Sequence, residues 1–391
     1  MAVYTWGFGK AGQLGTGTTN TCHTPQRLTN RNVAGQVSFS QISSGGLYTS
    51  CLKDDGQVLS FGCGKHGRLG CGSDGDQLSP SLVKFPQNTR VIQVSCGSWH
   101  GAAVSEDGHL FSWGYPRACG VSGINHDPQG ILSPIPVPNF TPDRLIGVSC
   151  GHNYTLAWTE TGRAFSWGCG RHGVLGHGTE EDSQTPKEIE ALSVKDVVFM
   201  DAGYAHCGAV TKDGAVYMFG KGADGALGLG EKTLNNKLVP AVVNSLSGVD
   251  VVEISCSVGE HHGHTLAVTR DAEVFSWGDG YKGKLGTGDQ EPRFEPTKVL
   301  PSSFQNEAIA HVSSGGIHSS AVSVSGRVFT WGCGSDGRLG HPEGKGHRYL
   351  FRSDVPKPVE FFKPNQHVKM VKCSYYHTVA LVTEEKSSGR H

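Results

Sequence analysis

Short apolar strings with polar residues between them recur along the whole chain. Gln93-Val94-Ser95-Cys96, Ala102-Ala103-Val104 and His109-Leu110-Phe111-Ser112-Trp113 are of this kind. Their alternation and β-rich composition predict short strands. Asp55-Gly56, Asp107-Gly108 and Asp213-Gly214 lie between such strings. They predict two-residue hairpin turns, in which both central φ angles are positive.

The pattern is periodic. An aromatic-glycine pair returns at Trp6-Gly7, Phe61-Gly62, Trp113-Gly114, Trp167-Gly168, Phe219-Gly220, Trp277-Gly278 and Trp331-Gly332, spaced by 55, 52, 54, 52, 58 and 54 residues. Six units continue with G-x-x-G-x-L-G, as in Gly9-Lys10-Ala11-Gly12-Gln13-Leu14-Gly15. A proline follows, for example Pro25, Pro80, Pro186, Pro240 or Pro296. Next come an apolar strand, a glycine, a His or Tyr, a second apolar strand and a turn. A strand such as Val58-Leu59-Ser60-Phe61 closes the unit. About four short strands per unit, seven times over, predict an all-β, seven-bladed propeller. The last unit ends at His377-Thr378-Val379-Ala380-Leu381 without its final strand, and the chain begins with a matching one, Ala2-Val3-Tyr4-Thr5-Trp6. The N-terminal strand is therefore expected to complete the C-terminal blade. Residues 1–383 then form one propeller and 384–391 a polar tail. A single ring replaces the two or three domains that 391 residues would otherwise suggest.

Composition narrows the function. Glycine counts 56, and Lys+Arg 34 balances Asp+Glu 35 for a net charge of −1. That balance argues against a broad nucleic-acid surface. No apolar run approaches the roughly 18 residues of a membrane span. MAVYTWGFGK has no apolar core of a secretory signal, so an intracellular protein, nuclear or cytoplasmic, is expected. The 12 cysteines form no C-x-x-C pair and read as small buried hydrophobes. Six units match G-x-G-x-x-G literally, starting with Gly7-Phe8-Gly9-Lys10-Ala11-Gly12. A dinucleotide site needs a following helix and a distant acid. Six repeated copies read as tight turns instead, so no nucleotide binding and no cofactor are expected.

These motifs resemble the regulator of chromosome condensation repeat family across residues 2–383. The resemblance implies a seven-bladed propeller. The founding member is the nuclear exchange factor for the small GTPase Ran and also docks on nucleosomes; most other members are interaction modules in larger proteins. Plant UV-B photoreceptors share the fold but use clustered Trp and Arg, whereas this chain has only seven Trp. The third unit departs from the repeat. It reads Trp113-Gly114-Tyr115-Pro116-Arg117-Ala118-Cys119-Gly120-Val121-Ser122-Gly123-Ile124 and runs into a Pro-rich stretch, 127–136. In the exchange factor the same unit is irregular and projects a β-wedge into the GTPase, so the resemblance implies a wedge within 115–138, with Arg117 at its base. It also implies a GTPase-contact role for Asn153 and for a fifth-unit histidine, His264 or His262. The family's two acids are replaced, however, by Ala118 and Asn153, and its basic N-terminal tail is absent.

The repeated His/Tyr position comprises Tyr48, His100, Tyr154, His206, His264, His318 and His377. Two readings apply: side chains that hydrogen-bond neighbouring blades, or a ring that meets a partner. On the second reading Arg117, Asn153 and His264 are the exchange residues, and Tyr48, His100, Tyr154, His206, His262, His318 and His377 bind the partner. Glu260-His261-His262-Gly263-His264 does not read as a metal site, because adjacent strand histidines point apart. A modest basic stretch, 343–357, carries Lys345, His347, Arg348, Arg352 and Lys357. It could meet an acidic partner or DNA phosphate. The sequence thus favours an exchange factor for a Ran-type GTPase. The alternative is a non-catalytic interaction propeller, a scaffold or recruiting module such as one from a ubiquitin ligase or a chromatin adaptor.

Overall fold

The computed structural model describes residues 1–29, 37–121, 130–138, 140, 143–230, 234–345 and 351–385. Their strands form seven four-stranded antiparallel sheets, the blades of a propeller. Blades one to six span 39–82, 91–136, 145–188, 197–242, 251–298 and 309–358. Each takes three strands ending at an aromatic-glycine pair, then an outer strand from the next sequence unit. The seventh joins Gln366–Cys373 and His377–Glu384 to Ala2–Gly7 and Cys22–Arg27.

The seventh blade thus takes two strands from each end of the chain, one more N-terminal strand than the alternation revealed. Cys22–Arg27 is polar, carries Pro25 and sits at the sheet edge, where a missing N–H is tolerated. Ala2–Gly7 pairs with the C-terminal strand in unbroken register, from Ala2 opposite Val382 to Gly7 opposite His377. Tyr4 and Arg27 both bond Glu384, closing the ring with side chains as well.

Blades pack through apolar faces. Leu52, Val58 and Val83 of the first blade meet Val91, Val94, Ala103 and Trp113 of the second, all nearly inaccessible. Four of the five blade tryptophans also donate across the interface. Trp6 Nε1 bonds the Arg338 carbonyl at 3.0 Å, Trp113 that of Arg68 at 2.9 Å, Trp277 that of Ala226 at 2.8 Å and Trp331 that of Lys284 at 2.8 Å. Trp167 faces the irregular Arg117–Gly120 string, and its buried Nε1 has no partner. A second set of clasps rings the axis. The side chains of Ser43, Ser95, Ser149, Asp201, Ser255 and Ser313 each accept an N–H from the next blade's inner strand at 2.7–3.0 Å.

The glycine after each aromatic is required by crowding. Gly62 has φ +118°, and a Cβ there would meet the Leu47 carbonyl at 2.5 Å. Two residues on, a Cβ on Gly64 would lie 2.1 Å from the Gly75 carbonyl. The Asp-Gly turns differ from expectation. Gly56, Gly108 and Gly214 have positive φ, but Asp55, Asp107 and Asp213 do not. Lys53 N–H bonds the Gln57 carbonyl and Gly56 N–H the Lys53 carbonyl. The loop is a type I turn closed by a left-handed glycine, one residue longer than a two-residue hairpin. Asp55 Oδ1 accepts the Gln57 N–H at 3.0 Å, which favours Asp at that position.

Two irregular stretches resolve into regular outer strands. Ile131–Pro136 is the outer strand of the second blade. Residues 122–129, the rest of the expected wedge, lie outside the described residues. Arg352–Pro358 is the outer strand of the sixth blade, and Arg352 pairs with Asp354 and Lys357 with Glu343. Two of the five basic residues of that stretch are therefore neutralised by neighbouring acids; His347 and Arg348 lie outside the described residues. So do residues 386–391 of the polar tail.

Candidate partner-binding face

The His/Tyr position follows the tight connection between the first two strands of each blade. All seven side chains are buried, with at most 3% exposure. Each reaches the next blade. His100 Nε2 lies 2.8 Å from Thr155 Oγ1; His206 meets Thr265, His264 meets Ser319, His318 meets Thr378 and His377 meets Thr49, each at 2.9 Å. Tyr48 donates to the His100 carbonyl at 2.6 Å, and Tyr154 to the carbonyls of Gly203 and His206. The five partner hydroxyls each donate onward to a backbone carbonyl, as Thr155 does to Ala118 at 3.0 Å. Each hydroxyl proton is thereby committed, so Nε2 must carry the hydrogen and the imidazoles are neutral donors.

Burial enforces that state. It lowers the pKa of His100 and His377 to about 3 and of His206 to about 4. His264 and His318 are also held well below the ordinary range by burial, assisted by Lys284 and Arg338 respectively. Of the two sequence readings, the geometry carries the first. Tyr48, His100, Tyr154, His206, His264, His318 and His377 clasp the blades beneath the surface and do not present their rings to a partner. The periodic Thr/Ser satisfies each imidazole Nε2 locally, while Nδ1 of His100, His264 and His318 is buried without a partner.

Partly exposed aromatic side chains lie one or two residues earlier in four of the seven connections. Trp99, His152, Tyr204, Tyr375 and Tyr376 crown the same face, joined by Phe8, His66, Tyr115 and Tyr281 from neighbouring turns. His152 lies against Tyr204 at 4.0 Å, Tyr375 against Tyr376 at 4.3 Å, and His66 against Trp99 and Tyr115 at 5.8 and 5.5 Å. Arg68 stacks over Trp99 at 4.2 Å and Arg338 over Tyr376 at 5.2 Å. This girdle is not periodic, since the first and sixth connections read Gly-Gly-Leu and Gly-Gly-Ile, so no repeat in the sequence signals it.

Three further predicted residues lie on this face. Arg117 is half-exposed and pairs with Asp182 at 2.5 Å, while Asp182 also accepts the Gly170 N–H at 3.1 Å. Asn153 is partly buried, with its Oδ1 unpartnered. His262 is exposed, stacks on Tyr281 at 4.8 Å and approaches Asp279 at 3.3 Å. Asp279 also pairs with Lys284, whose ammonium is fully buried and brought down to about 8 by that burial. Arg117 pairs with Asp182 in the third blade and His262 approaches Asp279 in the fifth, so the named residues are not gathered into one cluster. Among the described residues no three metal-ligating side chains converge.

A ring of seven four-stranded blades, closed by both chain ends and bearing an aromatic and cationic crown, defines a propeller that presents one broad loop face. A model of the RCC1-like domain matches residues 2–380, and the chain belongs to that family. It is 33% identical to the ultraviolet-B receptor UVR8 of Arabidopsis thaliana over 82% of this chain and 70% of that protein. It is 30% identical to the human regulator of chromosome condensation over 81% of this chain and 89% of that protein. A 34% match to the human E3 ubiquitin-protein ligase HERC2 covers 82% of this chain but 6% of that much longer protein. The solved structure of Prp20p from Saccharomyces cerevisiae, described with its binding to Gsp1p and histones, superposes with a TM-score of 0.83 at 22% identity, covering 99% of this chain and 92% of that one. In this chain Trp6, Trp113, Trp158, Trp167, Trp277 and Trp331 are buried and only Trp99 is partly exposed. Among the described residues no two tryptophan rings are paired; Trp113, Trp167 and Trp331 lie against phenylalanines instead.

Proposed function

We propose that this propeller is a guanine nucleotide exchange factor for a Ran-type small GTPase, acting from the crowned face. The observation that carries the reading is the 30% match to the human regulator of chromosome condensation, which spans 81% of this chain and 89% of that protein. The mechanism is differential binding. A propeller that holds the nucleotide-free GTPase more tightly than the loaded one lowers nucleotide affinity by linkage, about tenfold for each 1.4 kcal/mol of difference. Arg117, at the base of the irregular third-unit string, contacts the GTPase directly. Asn153 offers its free Oδ1 beside it. His264 acts as a positioning residue, holding the fifth blade's connection against the sixth through Ser319. A nuclear location and a second partner of the chromatin type belong to the same reading.

The test is release of a fluorescent GDP analogue from a panel of small GTPases, Ran first. Acceleration of Ran alone, reduced at least about tenfold by Arg117→Ala, supports exchange. No acceleration and no binding of nucleotide-free forms refutes it. A second reading, a non-catalytic interaction module, is favoured by Ala118 and Asn153 at the two acidic positions of the family motif. Tight GTPase binding without nucleotide release would select it.

A further inference from the structure

The inner strands of all seven blades line one cavity on the axis, with a volume of about 120 Å³. The clasp position of every blade lies in that lining. Five blades offer serine there, the fourth offers Asp201 and the seventh offers Lys372. Lys372 holds the same place as the serines: it opposes Val379 in its blade as Ser95 opposes Ala102 in the second. Asp201 keeps the clasp. Its Oδ2 accepts the Cys256 N–H at 2.7 Å, and Ser149 Oγ donates to Oδ1 at 3.3 Å.

Lys372 breaks the series. An ammonium has no lone pair and cannot accept an N–H from the next blade. The Ser44 N–H, which holds in the first blade the place of Cys96 in the second, has no side-chain acceptor among the described residues. Lys372 itself makes no hydrogen bond or ion pair among them. The junction of the seventh and first blades therefore presents donors and no acceptor. Ser43 and Ser313 add to the excess, because each hydroxyl already accepts an N–H, of Cys96 and of Cys373 respectively, and keeps its own hydrogen to give. Asp201 and Lys372 stand three blades apart on facing sides of the cavity and form no ion pair with each other. Burial raises the Asp201 carboxyl, and Lys372 opposes that rise. An anion alone would meet Asp201, and a cation alone would meet Lys372. A molecule that carries both charges satisfies both walls.

We propose that the axial cavity binds a small zwitterionic amino acid, with its carboxylate on Lys372 and the Ser44 N–H and its ammonium on Asp201. The volume admits roughly five or six non-hydrogen atoms, the size of glycine or alanine. A longer side chain has no room, and a peptide bond removes one of the two charges. The site uses none of the residues of the crowned face, so it does not depend on the exchange reading.

The full chain is dialysed to equilibrium against radiolabelled glycine and alanine at neutral pH, and its melting temperature is followed with each. Saturable uptake of one molecule per chain is expected, with a matching rise in melting temperature. Acetate and methylammonium, which carry one charge each, should compete at least about tenfold more weakly, and leucine should not compete. Lys372→Met keeps the stem and removes the charge. Asp201→Asn keeps an oxygen for the Cys256 N–H. Each should weaken binding at least about tenfold while the protein still melts cooperatively. Absence of saturable binding overturns the proposal, as does unchanged binding by either folded variant. Acetate that binds as tightly as alanine also overturns it, in favour of a plain anion site. If Asp201→Asn does not fold, Lys372→Met and the acetate comparison decide.

Discussion

Mild acid should loosen this propeller well before its carboxylates titrate. Five buried imidazoles, His100, His206, His264, His318 and His377, are neutral donors in the folded ring, with pKa values pressed down to about 3–4 or well below normal. In the unfolded chain each returns to about 6.5. Well above pH 6.5 neither state is protonated and stability is constant. Below it the unfolded chain takes up protons that the folded chain refuses, so stability falls between pH 6.5 and the folded values. At pH 5.5 each histidine costs about 1.4 kcal/mol and the five together about 7 kcal/mol, comparable with the whole stability of many domains. With about 2.1 cal/mol/K of unfolding entropy per residue, the melting temperature drops by roughly 8 °C. Asp201 is raised by burial and acts in the opposite sense, but it is one group against five. The assay is thermal unfolding by tryptophan fluorescence from pH 7.5 to 5.5. His318→Gln should be less stable at pH 7.5 yet lose about 1.4 kcal/mol less on acidification to pH 5.5. A melting temperature that stays level across that range would refute the neutral, buried ring.

Three further outcomes follow from the interfaces. Trp113→Phe removes a donor to the Arg68 carbonyl and should cost about 1 kcal/mol more, by chemical denaturation, than Trp167→Phe, whose indole has no acceptor to lose. Deleting residues 1–27 uncovers one edge of His377–Glu384 along the whole Ala2–Gly7 register. That protein should aggregate or fail to give a cooperative melt, whereas Tyr4→Phe, which loses only the Glu384 bond, should cost about 1 kcal/mol. Arg117→Ala should leave the melting temperature within about 1 °C, because a half-exposed ion pair contributes about 0–1 kcal/mol. A large destabilisation would make Arg117 a structural residue and weaken its place in the exchange reading.

Much of the fold is local and was therefore legible. A repeated aromatic-glycine pair, glycine-rich turn and apolar alternation specify a strand-turn unit without reference to anything distant. Seven copies specify a ring, because a propeller is built by contacts between equivalent neighbours. The Asp-Gly turns were visible as turns, but their type depends on one extra residue and on the Asp55 side chain bonding Gln57 N–H. The polar outer strand Cys22–Arg27 was invisible, since an edge strand with proline carries neither alternation nor apolar content.

The site was only half legible. The His/Tyr series could be read from spacing, but its role could not. Whether His100 meets a partner or Thr155 is set by 55 residues of intervening chain and by the angle between blades. Arg117 is a second case. In sequence it is one cation in an irregular string; in the ring it pairs with Asp182, 65 residues away. Periodicity alone determined what each unit is and how many there are; tertiary closure decided which polar groups are buried as clasps, because each clasp takes its partner from the neighbouring blade.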